Sequence, residues 1–250
     1  MTQKFAGAWR SGSDGHYLWV NRDWSDFEAK WNELAAQNLR LTTLKMFYTG
    51  GGWKYSGVWR QGTDGYYLWV YQLWGDFESK VNELFSQGLR LVDVAVAKDH
   101  DGNLRYSGVW RAGTDGQHFL ANRKWDEFEA KWNEFSAQNM RLTRIHITNF
   151  DHKVRYNGIW RSGSDAHFLW ALRPWSDFEA KWKELSQQNL RLVDLEITRV
   201  GGKRKFSGVW RAGTDAHYLW VGKPWAEFEA KWKELSEQNH RLVDLEYYFT

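Results

Sequence analysis

Residues 155–198 read RYNGIWRSGSDAHFLWALRPWSDFEAKWKELSQQNLRLVDLEIT, and this stretch recurs five times along the chain. Each copy carries the same landmarks: WRxGxD, an aromatic run, WxxFExK and QxxRL. The tryptophan–arginine pairs that mark the copies, 50 or 51 residues apart, are Trp9–Arg10, Trp59–Arg60, Trp110–Arg111, Trp160–Arg161 and Trp210–Arg211. A period of this length indicates one small supersecondary unit that is copied and stacked.

The composition is that of a folded protein rich in tryptophan. Its 250 residues are 42% hydrophobic and include 19 tryptophans, which is enough for a substantial core without cross-links. Cysteine is absent, so disulfides and thiolate metal sites are excluded. A net charge of +3 results from 34 basic and 31 acidic side chains. This mixture disfavours a nucleic-acid binder, because such proteins neutralise phosphates with concentrated positive charge.

No segment is long and apolar enough to predict a membrane span. Met1-Thr2-Gln3-Lys4 leads directly into the first repeat, without the apolar core of a secretory signal. Both a cytoplasmic protein and a mature secreted protein fit these features, so the localisation stays open.

The first half of each repeat predicts two strands. In the fourth copy, Arg155 to Ser162 alternates with period two, as a strand does. Gly163-Ser164-Asp165-Ala166 has turn chemistry, and the aromatic run that follows predicts a second, short strand. We expect the two strands to pair as an antiparallel hairpin.

The second half predicts a helix and a third strand. Trp175, Phe178, Trp182 and Leu185 are spaced as one stripe of an α-helix, and Pro174 precedes it. The residue after the last helical glutamine is Asn38, Gly88, Asn139, Asn189 or Asn239 in the five copies. Asparagine and glycine tolerate the left-handed conformation that ends helices, so this position is predicted to be the helix C-cap. The alternating third strand should form a hairpin with the first strand of the next copy.

We therefore expect an α+β fold of five tandem ββαβ repeats, with helices covering antiparallel sheets. The expected repeats cover residues 4–53, 54–104, 105–154, 155–204 and 205–250, within a single domain over residues 1–250.

The ends of the chain favour a closed, propeller-like ring. The first and fifth copies are as apolar as the others, whereas the end repeats of an open solenoid carry polar caps. The last strand ends in aromatic residues, and its unpaired edge would promote aggregation. Pairing of this strand with Lys4-Phe5-Ala6-Gly7-Ala8 would cover that edge. An open arc and a dimer that closes two arcs are the alternatives, and we expect a monomer.

Several repeated residues are expected to form the scaffold. Trp9, Trp24, Phe27 and their equivalents never vary between copies, which is typical of a core. Gly7 and its equivalents lie in the middle of a strand, where glycine marks a bulge or the close approach of a large neighbour such as a tryptophan ring.

The repeated polar residues have two interpretations. Arg10 and Asp14, with Arg40 beyond the helix, could form ion pairs and turns that link neighbouring repeats. They could instead form a ligand pocket with the histidine and the aromatic strand that follow. The third copy departs from this pocket, because Gln117 replaces the histidine and Leu120 the tryptophan. The candidate ligand-binding residues are Arg10, Asp14, His16, Trp19, Arg60, Asp64, Trp69, Arg111, Asp115, Arg161, Asp165, His167, Trp170, Arg211, Asp215, His217 and Trp220.

We predict no catalytic residue, no metal site and no cofactor. The eight histidines have no metal-ligand spacing. The serine of the turn is a threonine in three copies, as Thr63, Thr114 and Thr214. The chain contains no Ser-x-x-Lys, no glycine-rich phosphate loop and no HExxH.

The pattern YSGVWRxGTDxxxxLW…WxxFExKWxELxxQNxRLVDLE resembles the bacterial tandem repeat family, and the resemblance covers essentially the whole chain. Such repeats also form the amino-terminal part of fungal polyglycine hydrolases, which are secreted proteases with a β-lactamase-like catalytic domain. The resemblance implies a repeat region to which no catalytic residue can be assigned. The W-S-x-x-E-A helix and the F-x-G-x-W strand are also similar to those of tryptophan-rich cyanobacterial lectins.

Two functional hypotheses lead, and an enzyme that acts at the axis of the ring is the third. The first is a non-catalytic, multivalent, lectin-like module that binds glycan or cell-wall polymer through several equivalent sites. The second is a structural or protein- and peptide-interaction scaffold, such as the targeting domain of a secreted serine hydrolase.

Overall fold

The computed structural model describes residues 2–250, and every repeat has the predicted order of strand, strand, helix and strand. The helices are α1 (Trp24–Ala36), α2 (Trp74–Ser86), α3 (Trp125–Ala137), α4 (Trp175–Gln187) and α5 (Trp225–Glu237). The first strands are β1 (Gln3–Ser11), β4 (Gly52–Gln61), β7 (Leu104–Ala112), β10 (Lys153–Ser162) and β13 (Lys203–Ala212). The second strands are β2 (His16–Arg22), β5 (Tyr66–Gln72), β8 (Gln117–Arg123), β11 (His167–Arg173) and β14 (His217–Lys223). The third strands are β3 (Leu39–Thr49), β6 (Leu89–Lys98), β9 (Met140–Phe150), β12 (Leu190–Val200) and β15 (His240–Phe249).

These strands form five separate three-stranded antiparallel sheets, which gives the predicted α+β class. The strand orders are β2-β4-β3, β5-β7-β6, β8-β10-β9, β11-β13-β12 and β14-β1-β15. In each sheet the strands before and after a helix flank a central strand that belongs to another repeat. We call one sheet with its helix a module, so the module is shifted by one strand from the sequence repeat.

The predicted hairpin between the first and second strands of a repeat is wrong. β10 pairs with β8 and β9, whereas β11 pairs with β13. The hydrogen bonds at the end of β10 give the reason: the Ser162 amide donates to Gly116 and the Gly163 amide to Asn139. Because both edges of β10 are occupied, the following strand can pair only elsewhere. The predicted hairpins between successive repeats, such as β12–β13, are confirmed.

The predicted pairing of the two chain ends is confirmed. β1 lies between β14 and β15 as the central strand of its sheet. Thr2 and Thr250 exchange two backbone hydrogen bonds of 3.0 Å each. β1 is therefore the central strand in the module of α5. In the other modules the central strand is the first strand of the following repeat.

An aromatic cluster between helix and central strand holds each module together. In the module of α4, Phe178 and Trp210 are completely buried, with ring centroids 5.3 Å apart. Trp175 contacts Phe206 at 5.1 Å. Burying one indole removes roughly 150–250 Å² from water, which stabilises the fold by at most about 4–6 kcal/mol.

The mid-strand glycines make room for these indoles, as predicted. A Cβ atom on Gly208 would lie 2.6 Å from Cη2 of Trp210 and 2.7 Å from Cδ1 of Leu192. Neither neighbour can retreat, since both are buried in the same core. Any side chain at this position would therefore displace the tryptophan.

The predicted helix C-caps are confirmed. Asn38, Asn139, Asn189 and Asn239 have φ between 56° and 59°, and Gly88 has φ 78°. A second left-handed position, which the sequence reading missed, ends each strand before the helix: Asn21, Tyr71, Asn122, Leu172 and Gly222. There the amide of Leu172 donates to the Ser207 hydroxyl at 2.8 Å. This bulge turns the chain from the strand into the helix.

The described residues fall into two compact units, one of residues 2–13 and 116–250 and the other of Asp14–Asp115. In the first unit, Val209 packs into the core of the module built on β10, and Ala6 and Ala8 into that built on β13. In the second, Val109 packs into the core of the module built on β4. Central strands are thus buried on both faces within each unit. The single domain and the propeller-like ring stay predictions.

Candidate functional site

The repeated arginine and aspartate of the WRxGxD motif bind each other across repeats. Arg211 donates from Nε and Nη2 to the two carboxylate oxygens of Asp165, at 2.7 and 2.5 Å. The same two-point contact joins Arg10 to Asp215, Arg60 to Asp14 and Arg111 to Asp64. In each pair the arginine comes from the first strand of one repeat and the aspartate from another repeat. Arg161 and Asp115 hold the same positions in β10 and after β7.

The charge of these aspartates is set by the arginines. The hydrogen bond from Arg211 lowers the pKa of Asp165 from its usual value, against the opposing effect of burial. Arg10 does the same for Asp215, and Arg111 for Asp64. The carboxylates are therefore ionised and already hydrogen-bonded, which favours the interpretation as structural ion pairs.

A second set of arginines fastens the same loops. Arg141 donates from Nε to the backbone oxygen of Asp165 at 2.6 Å, and from Nη1 to Ser136 and Met140. Ser136 lies in the last turn of α3, where carbonyl groups lack helical partners. The arginine thus ties a helix end to the turn of the next repeat, and Arg40, Arg90 and Arg191 make the corresponding bonds.

The histidines of the predicted pocket pack under the preceding helix. His167 lies 5.0 Å from the ring of Trp132, and His217 lies 4.9 Å from that of Trp182. His217 Nε2 also shares a 2.6 Å hydrogen bond with the Ser186 hydroxyl. Tyr66 takes the same place against Trp31, with centroids 5.3 Å apart.

This packing explains why tyrosine can replace histidine in the second copy, since any flat ring can make the contact. In the third copy Gln117 holds the position, and the neighbouring His118 stacks at 4.2 Å on Phe135 of the helix that follows it, α3. Burial, aided by the positive charge of Arg191, lowers the pKa of His217 to about 4. The pKa of His167 is lowered for the same reason, with Arg141 as the nearest cation.

The four tryptophans of the second strands lie apart from this loop cluster, each in its own module. Trp19, Trp69, Trp170 and Trp220 are half-buried, unlike the fully buried Trp9 series. In β11, Trp170 pairs with Gly208, whereas His167 pairs with Arg211, so the indole is three residues further along the strand. The predicted pocket therefore separates into a loop cluster of arginine, aspartate and histidine and an aromatic surface nearer the helix start.

Cations lie against each of these indoles. Lys181 lies 5.2 Å and Arg173 5.0 Å from the Trp170 ring centroid. Trp19 has Lys30 and Arg22, Trp220 has Lys231 and Lys223, and Trp69 has Lys80. We call each such tryptophan with its cations a platform. The third copy has Leu120 there and so has no platform.

The sequence reading missed buried acids on the strands that follow the helices. Asp194 and Asp244 are 2% and 1% exposed. Asp194 accepts a 2.6 Å hydrogen bond from the Ile145 amide, and Asp244 a 2.7 Å bond from the Leu195 amide. Each carboxylate thereby fastens its strand to the corresponding strand of another module.

Other ionisable groups accompany these acids in the same unit. Arg144 lies 3.3 Å from Asp194 and donates to the Val193 carbonyl at 2.6 Å. His146 Nδ1 lies 3.4 Å from Glu196 Oε2. The signal for them in the sequence is polar variation inside an otherwise repeated strand, because the position of Asp194 is Thr43, Asp93, Arg144 and Asp244 in the other copies.

A cleft lies at the hairpin end of the first unit. It has a volume of about 450 Å³ and is lined by Tyr247, Tyr248 and Phe249 of β15 and by Arg199 and Arg204 of the β12–β13 hairpin. The Arg204 guanidinium lies 3.6 Å from the Tyr248 ring centroid. This volume is in the range of pockets for small ligands.

Within residues 2–250, no group of three or more histidine, aspartate or glutamate side chains is placed to hold a metal ion. None of the helices in that range is long and apolar enough to cross a membrane.

Comparison with known proteins confirms the resemblance seen in the sequence. A family model described as a polyglycine hydrolase-like structural repeat matches residues 19–62, 74–112, 121–162 and 174–212. The matched segments end with β4, β7, β10 and β13, so the repeat of the family corresponds to the folded module. No curated protein matches the chain.

Proposed function

Because the chain belongs to the polyglycine hydrolase-like structural repeat family, a family defined by a repeat, we propose that it is a non-catalytic, multivalent binding module. Its ligand in this proposal is a glycan or cell-wall polymer, and its equivalent sites are the tryptophan platforms. The loop arginines, aspartates and histidines hold the platforms in place and do not bind the ligand themselves.

The observation that carries this proposal is the half-buried state of the platform indoles. The Trp9 series is almost completely buried, whereas Trp19, Trp69, Trp170 and Trp220 keep part of their rings accessible. The exposed part of an aromatic side chain suits ligands that are apolar on one face and wet on the other, as sugar rings are. Several weak sites on one chain add avidity without new contacts.

Titration calorimetry on glycans selected from an array tests the proposal. Trp170→Leu copies the residue that the third module carries as Leu120, so the variant should fold normally. We expect one binding site fewer, with unchanged affinity at the remaining sites. Asp165→Asn serves as the matched control, because it should lower stability and leave the number of sites unchanged. Absence of any sugar binding at millimolar concentrations would end the proposal.

A structural or protein-interaction scaffold is the second candidate. It is favoured by the loop arginines and aspartates, whose hydrogen bonds are used to join one repeat to another. In this case the platforms would contact a partner chain or peptide. Affinity capture from the source organism, compared between the natural protein and Trp170→Leu with Trp220→Leu, distinguishes it from glycan binding.

We also propose that the modules close into a propeller-like ring of one domain. Support comes from β1 as the central strand beside β15 and from the packing of central strands on neighbouring cores within each unit. Small-angle scattering on the monomer measures the maximum dimension. A value far above that of a compact 250-residue particle would contradict the ring.

A further inference from the structure

The cleft beside β15 breaks the repetition of the chain. The third-repeat equivalents of Arg199 and Arg204 are Asn149 and Val154, and those of Tyr247 and Tyr248 are Ile147 and Thr148. The shared module therefore needs neither the arginines nor the tyrosines at these positions. A feature that only one module has, and that the common fold does not require, calls for another explanation.

The two arginines give the cleft a positive charge. Among the residues that line it there is no aspartate or glutamate. Arg199 donates from Nε to the backbone oxygen of Gly202 at 3.2 Å, which leaves its terminal nitrogens for other partners. Neither Arg199 nor Arg204 has a carboxylate at ion-pair distance within residues 2–250.

The aromatic side chains fix one arginine and offer apolar faces. Stacking on Tyr248 at 3.6 Å holds the Arg204 guanidinium by one face and leaves its N–H edge directed sideways. A guanidinium held in this way loses little freedom when a carboxylate binds to it through two parallel hydrogen bonds. Tyr247 and Phe249 add ring surface to the same cleft.

We propose that this cleft binds an acidic sugar, with the carboxylate of a uronic acid unit held by Arg199 and Arg204 and the sugar ring against the tyrosines. The inference deepens the glycan-binding function proposed above and rests on it for the class of ligand. In this proposal the chain has one site for a charged sugar unit of the polymer. The repeated platforms contact the ring faces of its sugars.

Calorimetry with a glucuronic acid oligosaccharide and a neutral glucose oligosaccharide of equal length tests this site. Arg204→Val introduces the residue that the third repeat carries as Val154, so it should fold with the same melting temperature. We expect it to weaken uronate binding about tenfold or more, since hydrogen bonds between charged groups are lost, and to leave glucose binding unchanged. Arg199→Asn, which copies Asn149, should act in the same direction. Uronate affinity of the natural protein should also fall as salt is raised.

Lys203→Gln is the control, because it removes one positive charge from the same hairpin without touching the cleft. Equal uronate affinity in Arg204→Val and the natural protein would overturn the inference. So would preference of the cleft for a peptide with a free terminal carboxylate over the uronate. Glucose binding that loses one site in Trp170→Leu, with no uronate binding at Arg204, would leave the platform function standing and refute the cleft. Uronate binding that depends on Arg204, without glucose binding anywhere, would support the cleft and refute the platform function.

Discussion

Asp165 is the residue on which three strands of the first unit converge. Its carboxylate holds Arg211 of β13, and its backbone oxygen holds Arg141 of β9. The neighbouring Gly163 has no room for a side chain, since a Cβ atom would lie 2.8 Å from Nη2 of Arg211. The WRxGxD motif is thus explained by one ion pair and the space it needs.

We expect Asp165→Ala to lower the free energy of unfolding by roughly 1–3 kcal/mol, because Arg211 would keep its charge and lose both hydrogen bonds. Asp165→Asn should cost less, since the amide oxygen can still accept one bond. Urea denaturation measures both values. Glu237→Gln is the control, because Glu237 is exposed and has no ion pair within residues 2–250. A cost equal to that of the control would show that the pair is not structural.

Residues whose role depends on their own backbone angles could be predicted from sequence. Asn189 and Gly208 are examples. A left-handed φ or a lack of space for a Cβ atom restricts the residue type at one position, and the same restriction appears in every copy. Asp194 could not be predicted in the same way. Alternation with Val193 and Leu195 indicated a polar face, and a polar face normally meets water. Here it meets a strand of another module, which only the three-dimensional arrangement reveals.

At the scale of elements, the strand before each helix depends on another repeat. Turn chemistry at residues 163–166 fits a hairpin, yet β11 pairs with β13 of the following repeat. The local sequence specifies that the chain turns after β10. It does not specify which strand has an unpaired edge with which β11 can pair. The platform strands are consequently held by a neighbour on one side and by the helix on the other.

The contact of α4 with the start of β14 should depend on pH. His217 packs on Trp182, and its pKa falls to about 4 in the folded state from an unfolded value near 6.5. Because the folded pKa is depressed, the protein favours the neutral ring, and this stability is present in full above about pH 6.5. It is lost as the pH falls from there to about 4. His217→Tyr, which copies Tyr66, should flatten the melting temperature over this range, and an unchanged slope would contradict the assignment.

Below the pH range in which His217 is protonated, the stability depends on the charge of the aspartates. The pKa values of Asp64, Asp165 and Asp215 are lowered by their arginines, so their contribution is present above the unfolded value and disappears as the pH falls through the folded one. Acid unfolding of the natural protein should therefore extend over both ranges.

At the scale of the molecule, the module of α5 differs from the others in taking its central strand from the other end of the chain. β1 places Phe5 and Trp9, each 1% exposed, in the core beside α5. The aromatic end of the last strand predicts that this strand pairs with the first strand of the chain. The sheet β14-β1-β15 confirms that pairing.

We expect deletion of residues 2–11 to unfold the module of α5, since losing even one buried tryptophan or phenylalanine costs about 3–5 kcal/mol. A circular permutant that joins the ends through two glycines and opens the chain between Gly50 and Gly51 should keep its fold. That cut turns β3 and β4 into strands paired without a covalent hairpin, as β15 and β1 already are. Circular dichroism during heating compares the two. A stable deletion variant would contradict the role of β1.

The position of β1 also sets the order of events on the ribosome. β1 is synthesised long before β14 and β15, between which it belongs. Until then an apolar strand has both edges bare, a state that attracts other nascent chains. A cell that makes this protein must therefore shield β1 until β14 and β15 have been synthesised, and the yield in a host short of holding chaperones will be limited by that interval.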